Sequence, residues 1–371
     1  MEVIENIKLV ELKPKINSKY HFGEGSLEHS GYIFHSNSLF SAIFNNYVKL
    51  YGKNDKNLEE LKNIKISSLF LKIDGNNEDI YLIPKPEHPY FYILKENIKG
   101  ITPKDVKKIQ FFSVKAYIDY LNGKIKWEGE NLKEIINNQT INKKIVISKD
   151  EIDEIKKVFN ITENSLKDVK IKLISSILEQ KVAIDRIKNI SLQIDNRGQL
   201  YTVEFIKLHK NVGYYFLIDY NSDDEEFINK LEASIRLIAD EGLGGERSSG
   251  AGFFESVKIS ELNNDFKNLF KMSDNLGYKT TLGIAIPNKN NYDKIIYYKF
   301  MEFGGYIYSP YSFSYPKKRV LALTEGSIVK SDFKGCVLDN IAPENFKCHN
   351  VYLHGKPILI PFKGDYNDSK V

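Results

Sequence analysis

Residues 242–252 form a segment in which five of eleven residues are glycine, at positions 242, 244, 245, 250 and 252. Because glycine has no Cβ, such a segment can bring its backbone close to a ligand, and its N–H groups can cradle a phosphate. Arg247 and the hydroxyls of Ser248 and Ser249 add donors that suit phosphate oxygens. We therefore predict a ligand-binding loop here, the alternative being an ordinary turn.

Two familiar phosphate motifs do not fit this segment. A P-loop that starts at Gly245 needs lysine at position 251, which is Ala251, and a dinucleotide fingerprint that starts at Gly242 needs glycine at position 247, which is Arg247. The segment also follows a helical pattern and leads into a strand, the reverse of both motifs. A mononucleotide or NAD site is therefore disfavoured, and we expect no cofactor.

The first half of the chain predicts a strand, a loop, a helix and two more strands. Residues 3–12 alternate loosely, as a strand does. Residues 36–51 place apolar side chains on one helical face, with Ser36 as N-cap and Gly52 as the stop. Residues 67–73 and 79–83 predict strands around the turn at 74–77.

The second half repeats this order of elements. Strands are predicted at 182–184, 200–206 and 213–218, a helix at 223–239 and a strand at 253–259, with further strands between 280 and 361. A helix is predicted from Thr102 through Tyr120, and residues 122–180 are ambiguous. The pattern favours an α+β fold of two ferredoxin-like (RRM-like) domains, residues 1–180 and 181–371, with antiparallel sheets, a glycine-rich loop and hairpin insertions.

Composition excludes several other classes of protein. The chain has 371 residues, 42% hydrophobic and 27% charged, as in globular domains, so a wholly disordered or coiled-coil chain is excluded. No run approaches the roughly 18 apolar residues that span a bilayer, and no signal peptide is evident, so we expect no membrane partner. Two cysteines, Cys336 and Cys348, provide neither a disulfide framework nor a zinc site by themselves. We therefore expect a cytoplasmic protein.

Arginine is rare in this chain, so its positions carry information. Of 53 basic residues, five are arginines: Arg186, Arg197, Arg236, Arg247 and Arg319. Arginine is preferred where a planar, forked donor is needed, as with phosphate. Arg186 and Arg197 flank a predicted hairpin arm at 186–200, and either could be an RNA contact or a surface ion pair.

An aromatic segment at 304–319 ends in three consecutive cations, Lys317, Lys318 and Arg319. Aromatic rings such as Tyr308 can stack on bases while cations hold the backbone of single-stranded RNA. The alternative is that the aromatic rings pack in the core and that the three cations are simply exposed to solvent.

Three histidines, His21, His29 and His35, lie around the first loop. One of them could act as a general base in RNA cleavage, although hydrogen-bonded loop histidines are the simpler reading. Neither His-x-x-x-His nor Cys-x-x-Cys accompanies them, so we predict no metal site.

Several of these segments together resemble a known family. Residues 12–25 and His35-Ser36-Asn37-Ser38-Leu39-Phe40-Ser41-Ala42 resemble the opening of RAMP-superfamily CRISPR proteins. Six further segments make the resemblance more specific within that superfamily. They are Ala183-Ile184-Asp185-Arg186, residues 200–204, the glycine-rich loop, Gly305-Tyr306-Ile307-Tyr308-Ser309-Pro310, Lys318-Arg319-Val320 and Glu325-Gly326-Ser327. The set is similar to the fourth-subunit family of the Csm complex, the type III-A CRISPR interference effector in antiviral defence.

The resemblance implies a non-catalytic subunit that anchors the 5′ handle of the CRISPR RNA. It also implies docking between the large polymerase-like subunit and the backbone filament subunit, and an arm at 186–200 that reaches across the guide–target duplex. Handle binding would fall on His21, Ser36, Ser38, Gly244, Gly245, Glu246, Arg247, Ser248, Ser249 and Gly250. The alternative is a metal-independent endoribonuclease that processes CRISPR precursor RNA, a possibility that the three histidines keep open.

Overall fold

The computed structural model describes residues 6–23, 26–94, 96–163, 166, 169–185, 188, 190–194, 197–272, 276–309 and 311–364, with only the backbone of residues 55, 185, 194 and 197. These residues form α-helices, short 3-10 helices and strands. The helices are α1 Ser36–Tyr51, α2 Asp55–Asn63, α3 Pro103–Lys108, α4 Val114–Leu121, α5 Gly129–Asn138, α6 Ile152–Val158, α7 Glu225–Arg236, α8 Ile238–Glu241 and α9 Asn264–Lys271.

The strands range from two to nine residues. They are β1 Ile7–Pro14, β2 Phe22–Gly23, β3 Ser30–Gly31, β4 Lys65–Ile66, β5 Phe70–Ile73, β6 Ile80–Pro84, β7 Phe111–Ser113, β8 Thr140–Ile141, β9 Ile145–Val146, β10 Ile174–Val182, β11 Ile184–Asp185, β12 Ile190–Ser191, β13 Gln193–Ile194, β14 Arg197–Gly198, β15 Leu200–Leu208, β16 Val212–Asp219, β17 Phe254–Glu261, β18 Tyr278–Thr281, β19 Ile295–Tyr297, β20 Phe300–Phe303, β21 Val320–Leu323, β22 Ile328–Lys330, β23 Cys336–Leu338, β24 Leu353–Gly355 and β25 Leu359–Phe362.

The largest sheet has the strand order β17-β1-β16-β5-β6-β7-β9-β8, with β4 also pairing with β16. Its pairs are antiparallel except β7 with β9, so the sheet is mixed. Every residue of β16 is buried, as its central position and its nearly continuous apolar sequence lead one to expect. Strand β1 lies between β16 and β17, so this sheet includes strands from both sides of residue 180.

Helix α1 lies beside α7. The Asn46 amide donates to the Ser234 carbonyl at 3.1 Å, and the rings of Tyr47 and Phe227 are 6.2 Å apart. The predicted bounds of α1 are confirmed, and Gly52 ends it with φ +73°. Its N-cap is His35 rather than the predicted Ser36. Ser36 is the first residue of the helix, and its hydroxyl accepts from the Ile284 N–H instead of capping α1.

The C-terminal segment forms a four-stranded sheet, β19-β22-β18-β25, with the pairs β20-β21 and β23-β24 nearby. It packs onto the rest of the chain through buried polar contacts. The Tyr117 hydroxyl donates to the Pro361 carbonyl at 2.8 Å, and the Ser68 N–H donates to the Leu282 carbonyl at 2.8 Å. One continuous apolar core extends from Ile7 to Phe362.

Strands β10 and β15 form a long two-stranded arm, paired from Ile174 with Leu208 to Val182 with Leu200. Short pairs β11-β12 and β13-β14 extend it. The described residues of the predicted arm at 186–200 therefore continue a hairpin that begins at Ile174. Arg186 lies outside the described residues, and Arg197 opens β14.

The predicted helix from Thr102 through Tyr120 is wrong in its middle. Thr102 caps α3 through a reciprocal bond with Asp105, as expected, but α3 ends at Lys108. Residues 111–113 then form β7, which pairs with β6, before α4 begins. Burial of Phe111 and Phe112 within the sheet outweighs their local compatibility with a helix.

Candidate nucleic-acid interface

Helix α1, the glycine-rich loop and residue Tyr308 enclose a surface cavity of about 540 Å³. The loop contributes residues 241–248 to the lining, and the C-terminal segment contributes Tyr308. From α1 come Ser38, Ser41, Asn45 and Lys49. The structure therefore brings together three predicted elements that are separated by up to 270 positions in the sequence: Ser38, the glycine-rich loop and Tyr308.

Two loop residues show why glycine is needed here. Gly244 has φ +87°, and a Cβ at this position would lie 2.5 Å from the His21 carbonyl oxygen. Gly250 has φ +85°, but a Cβ there would meet nothing within 4 Å. Gly244 thus permits a close approach between the loop and residue 21, which the bond from the Gly245 N–H to the His21 carbonyl (2.9 Å) completes.

The side chain of Glu246 is committed to contacts within the protein. Its carboxylate accepts from the Lys181 ammonium on β10 and from the Ser249 hydroxyl at 3.0 Å. Burial alone would raise the pKa of Glu246, but the bonds from Lys181 and Ser249 outweigh burial and hold this pKa below its ordinary value. Glu246 and the Ser249 hydroxyl therefore support the loop, and direct RNA contact by these two residues stays a prediction.

Arg247 and Ser248 lie at the cavity with exposed side chains. The Arg247 guanidinium donates to the Glu241 carbonyl at 3.3 Å, a contact that uses one of its five N–H groups. The remaining N–H groups can donate to an anion. Lys49, which the sequence did not single out, also lines the cavity and pairs with the Glu241 carboxylate at 2.7 Å.

Two of the predicted contacts, Ser36 and His21, are buried. Ser36 is fully buried, and its hydroxyl accepts from the Ile284 N–H at 2.8 Å, so it joins α1 to the C-terminal segment. His21 is 4% exposed, and its Nδ1 lies 2.8 Å from the Glu204 carbonyl oxygen, beneath the loop. Neither side chain reaches the surface, so both have a structural role, and RNA contact by these residues stays a prediction.

The other two histidines differ from each other. His35 Nδ1 lies 2.8 Å from a carboxylate oxygen of Glu325, and the Ser68 hydroxyl donates to the same carboxylate. Glu325 is buried, which alone would raise its pKa, but His35 and Ser68 hold the pKa below its ordinary value. His29 is exposed. No cluster of three or more metal-ligating side chains occurs among the described residues.

The arm contacts the glycine-rich loop at its base. Val203 and Phe205 of β15 form a small apolar cluster with Ala251 of the loop. The ammonium groups of Lys19 and Lys181 lie 4.3 and 5.1 Å from the Phe205 ring centroid. Lys19 pairs with Glu179 and Lys181 pairs with Glu246 where the arm meets the loop. Neither lysine was predicted as a site residue from the sequence.

The cations that follow the aromatic segment have unequal surroundings. Burial lowers the pKa of the Lys317 ammonium from its ordinary value. Lys318 is exposed, and Arg319 pairs with Glu302 at 2.9 Å. The structure thus leaves Lys318 as the most open of the three to an anion, while Tyr308 reaches the cavity itself.

The spacing of polar residues in α1 is a sequence signal that could have predicted this helix as one side of the cavity. Ser38, Ser41, Asn45 and Lys49 recur at spacings of three and four residues, opposite the apolar stripe of α1. A polar face of small and amide side chains beside a glycine-rich loop is typical of a surface that binds a polar ligand.

Comparisons with known proteins agree with these features. The RAMP superfamily profile matches residues 15–255, and the profile of the CRISPR Csm4 C-terminal domain matches residues 274–362. The chain is 59% identical to the CRISPR system Cms protein Csm4 of Methanocaldococcus jannaschii, over 96% of this chain and 98% of that protein.

Two solved structures are similar in fold. A chain of the Csm3–Csm4 subcomplex in the type III-A CRISPR-Cas interference complex superposes with a TM-score of 0.76 at 54% identity, covering 96% of this chain and 100% of that one. A chain of the Csm1–Csm4 cassette in complex with cA4 gives a TM-score of 0.51 at 17% identity, over 96% of this chain and 98% of that one. Within the residues that the structure describes, no helix is long and apolar enough to cross a membrane.

Proposed function

This chain belongs to the Csm4 family of the RAMP superfamily, and from that membership we propose that it anchors the 5′ handle of the CRISPR RNA in a type III-A interference complex. Related Csm4 chains occur in Csm3–Csm4 and Csm1–Csm4 assemblies. The partners of this chain would accordingly be the backbone filament subunit, the large polymerase-like subunit and the CRISPR RNA.

The cavity between α1 and the glycine-rich loop carries the proposal. The N–H groups of residues 242, 243, 245 and 249–252 already donate within the protein, which leaves those of Gly244 and residues 246–248 for a phosphate. With them, the Arg247 guanidinium and Lys49 provide donors and positive charge. Tyr308 provides an aromatic face for a base. We infer that Ser38, Ser248 and the amides of the loop position the RNA, while base pairing by the guide supplies target specificity.

An exposed arginine outside the cavity makes a matched control for the binding test. We expect Arg247→Ala to weaken binding of a labelled handle RNA by about 10-fold or more, since a charge-assisted hydrogen bond contributes roughly 1.5–3 kcal/mol. Arg236→Ala, on α7 and paired with Glu232, should leave affinity unchanged. Fluorescence anisotropy measures both, and equal affinities for the two variants would contradict the assignment.

Salt dependence tests the same proposal by a second route. If about five phosphates are contacted, log K against log[salt] should have a slope of roughly −3.5, and Arg247→Ala should reduce its magnitude by about 0.7. A flat salt response would exclude recognition of the RNA backbone.

We propose that the role is structural rather than catalytic, because His21 and His35 are both engaged in the protein interior. His29 remains available to the alternative, a metal-independent nuclease. Incubation of the handle RNA with and without a chelator tests this point. Intact RNA supports the structural role, whereas a single clean cut that His29→Ala abolishes would favour the nuclease.

We infer that one ferredoxin-like unit is built from β1, α1, β5, β16, α7 and β17. The βαββαβ order along the chain and the sheet order β17-β1-β16-β5 support it. The boundary predicted at residue 180 would then lie between residues 261 and 274, and limited proteolysis tests which position is cut.

A second ferredoxin-like domain stays a prediction, as do RNA contacts by Arg186 and Arg197. A cytoplasmic location is compatible with the unpaired Cys336 and Cys348.

A further inference from the structure

The hairpin formed by residues 305–309 and 311–316, here called the aromatic tip, exposes four aromatic rings. Tyr306 is 71% exposed, Tyr308 66%, Tyr311 81% and Phe313 92%. Several large aromatic side chains left this open along one hairpin mark a site for another molecule.

The base of the aromatic tip is held in place. The Ile307 N–H donates to the Tyr315 carbonyl at 2.8 Å, and the Lys317 N–H donates to the Gly305 carbonyl at 2.8 Å. Ile307 is buried in an apolar cluster that Tyr315 packs against. Because side chains alternate along an extended chain, the inward place of Ile307 directs Tyr306 and Tyr308 outward.

Position and charge together indicate what the aromatic tip binds. Tyr308 lines the same cavity as Arg247 and the glycine-rich loop, so the tip stands at the rim of the proposed RNA site. The sequence contains no aspartate or glutamate between Glu302 and Glu325, whereas Lys317, Lys318 and Arg319 follow the tip directly. Exposed rings in a segment without acidic residues, followed by the exposed Lys318, suit a single-stranded polyanion with flat bases.

We propose that Tyr311 and Phe313, together with Tyr308, stack on bases of the single-stranded RNA where it leaves the cavity. This inference rests on the proposed function and adds a site that holds bases rather than phosphates. Stacking accepts any base, because every base has a π-face, so the aromatic tip would add affinity without reading sequence.

The test compares variants of the full chain in binding to handle RNA. Tyr311→Ala with Phe313→Ala should weaken binding by about 30-fold or more, since each of the two stacked bases contributes roughly 1–3 kcal/mol. Tyr311→Phe with Phe313→Tyr should restore affinity. Tyr292→Ala, which removes another exposed ring (62% exposed) outside the cavity lining, should have no effect.

Two further measurements separate stacking from charge and from protein binding. The salt slope should remain that of the wild type in the double alanine variant. RNA with abasic nucleotides should bind the wild type as weakly as intact RNA binds the variant, and the two losses should not add.

If the double alanine variant binds RNA with unchanged affinity while Arg247→Ala binds it weakly, the stacking site is overturned and the proposed function stands. Loss of binding to the large subunit with unchanged RNA affinity would likewise overturn it and assign the tip to a protein surface. Wild-type protein that binds no RNA would overturn both this inference and the proposed function.

Discussion

The glycine-rich loop and the aromatic tip line one cavity, but they are held in different ways. The loop is tied to the first loop of the chain through the His21 carbonyl and to the arm through the Lys181–Glu246 pair. The tip is fixed at its base around Ile307, and its outer rings are exposed. Phosphate binding by backbone N–H groups needs donors at fixed positions, whereas stacking tolerates adjustment. In the proposed function, the loop would therefore be a rigid wall for phosphates and the tip an adaptable wall for bases.

The largest effect on stability should come from Gly244→Ala. The left-handed backbone and the 2.5 Å approach to the His21 carbonyl should together lower the free energy of unfolding by about 2–4 kcal/mol. Gly250→Ala, with a similar φ and open space, should cost only about 1–2 kcal/mol. Urea unfolding measures both; equal losses would show that the close approach contributes nothing.

A smaller loss is expected when the loop is disconnected from the arm. Lys181→Met should lower the free energy of unfolding by about 1–2 kcal/mol, because both side chains of the Lys181–Glu246 pair are largely buried, 18% and 19% exposed. Lys13→Met breaks an exposed pair with Glu255 and should cost no more than about 0.5 kcal/mol. Exchanging the charges, Lys181→Glu with Glu246→Lys, should restore part of the loss. A charge-swapped protein no more stable than Lys181→Met would show that the charges are not paired.

Acid should weaken the loop but not the tip. The pKa of Glu246 is held below its ordinary value of 4.5 in the folded protein, so its stabilising effect is present above pH 4.5 and is lost as the pH falls below it. The gap in unfolding free energy between wild type and Glu246→Gln, expected below about 1 kcal/mol, should therefore shrink between pH 5 and pH 3. The gap for Phe313→Ala should stay constant. A Glu246 gap that does not change with pH would mean that the carboxylate charge is irrelevant.

The smallest change in stability is expected at the aromatic tip. Tyr311→Ala and Phe313→Ala should each alter the free energy of unfolding by less than about 0.5 kcal/mol, because rings 81% and 92% exposed bury little area. Thermal unfolding checks this directly. A loss near that of Lys181→Met would mean that the rings pack against the protein, and the contrast between the two walls would fail.

The elements with local signals were predictable from the sequence. The bounds of α1, the Thr102–Asp105 cap and the β5–β6 hairpin each depend on residues a few positions apart. The glycine-rich loop and Tyr308 were also recognised as candidate contacts, and both line the cavity.

Contacts between distant residues were not predictable. Nothing near Ser36 indicates that its hydroxyl accepts from Ile284, 248 positions later, and nothing near Glu246 indicates Lys181, 65 positions earlier. Both look like polar surface residues until the fold buries them. For the same reason β7 was read as helix, since its pairing with β6 lies about 30 residues back.

The place of β1 between β16 and β17 has a consequence for synthesis of the chain on the ribosome. Strand β1 ends at Pro14, whereas its two neighbours begin at Val212 and Phe254. At about 5–20 residues per second, roughly 12–48 s pass between translation of β1 and translation of the start of β17. Strand β1 therefore waits for partners that are made late, with its apolar side chains uncovered. During that interval we expect a chaperone to cover it.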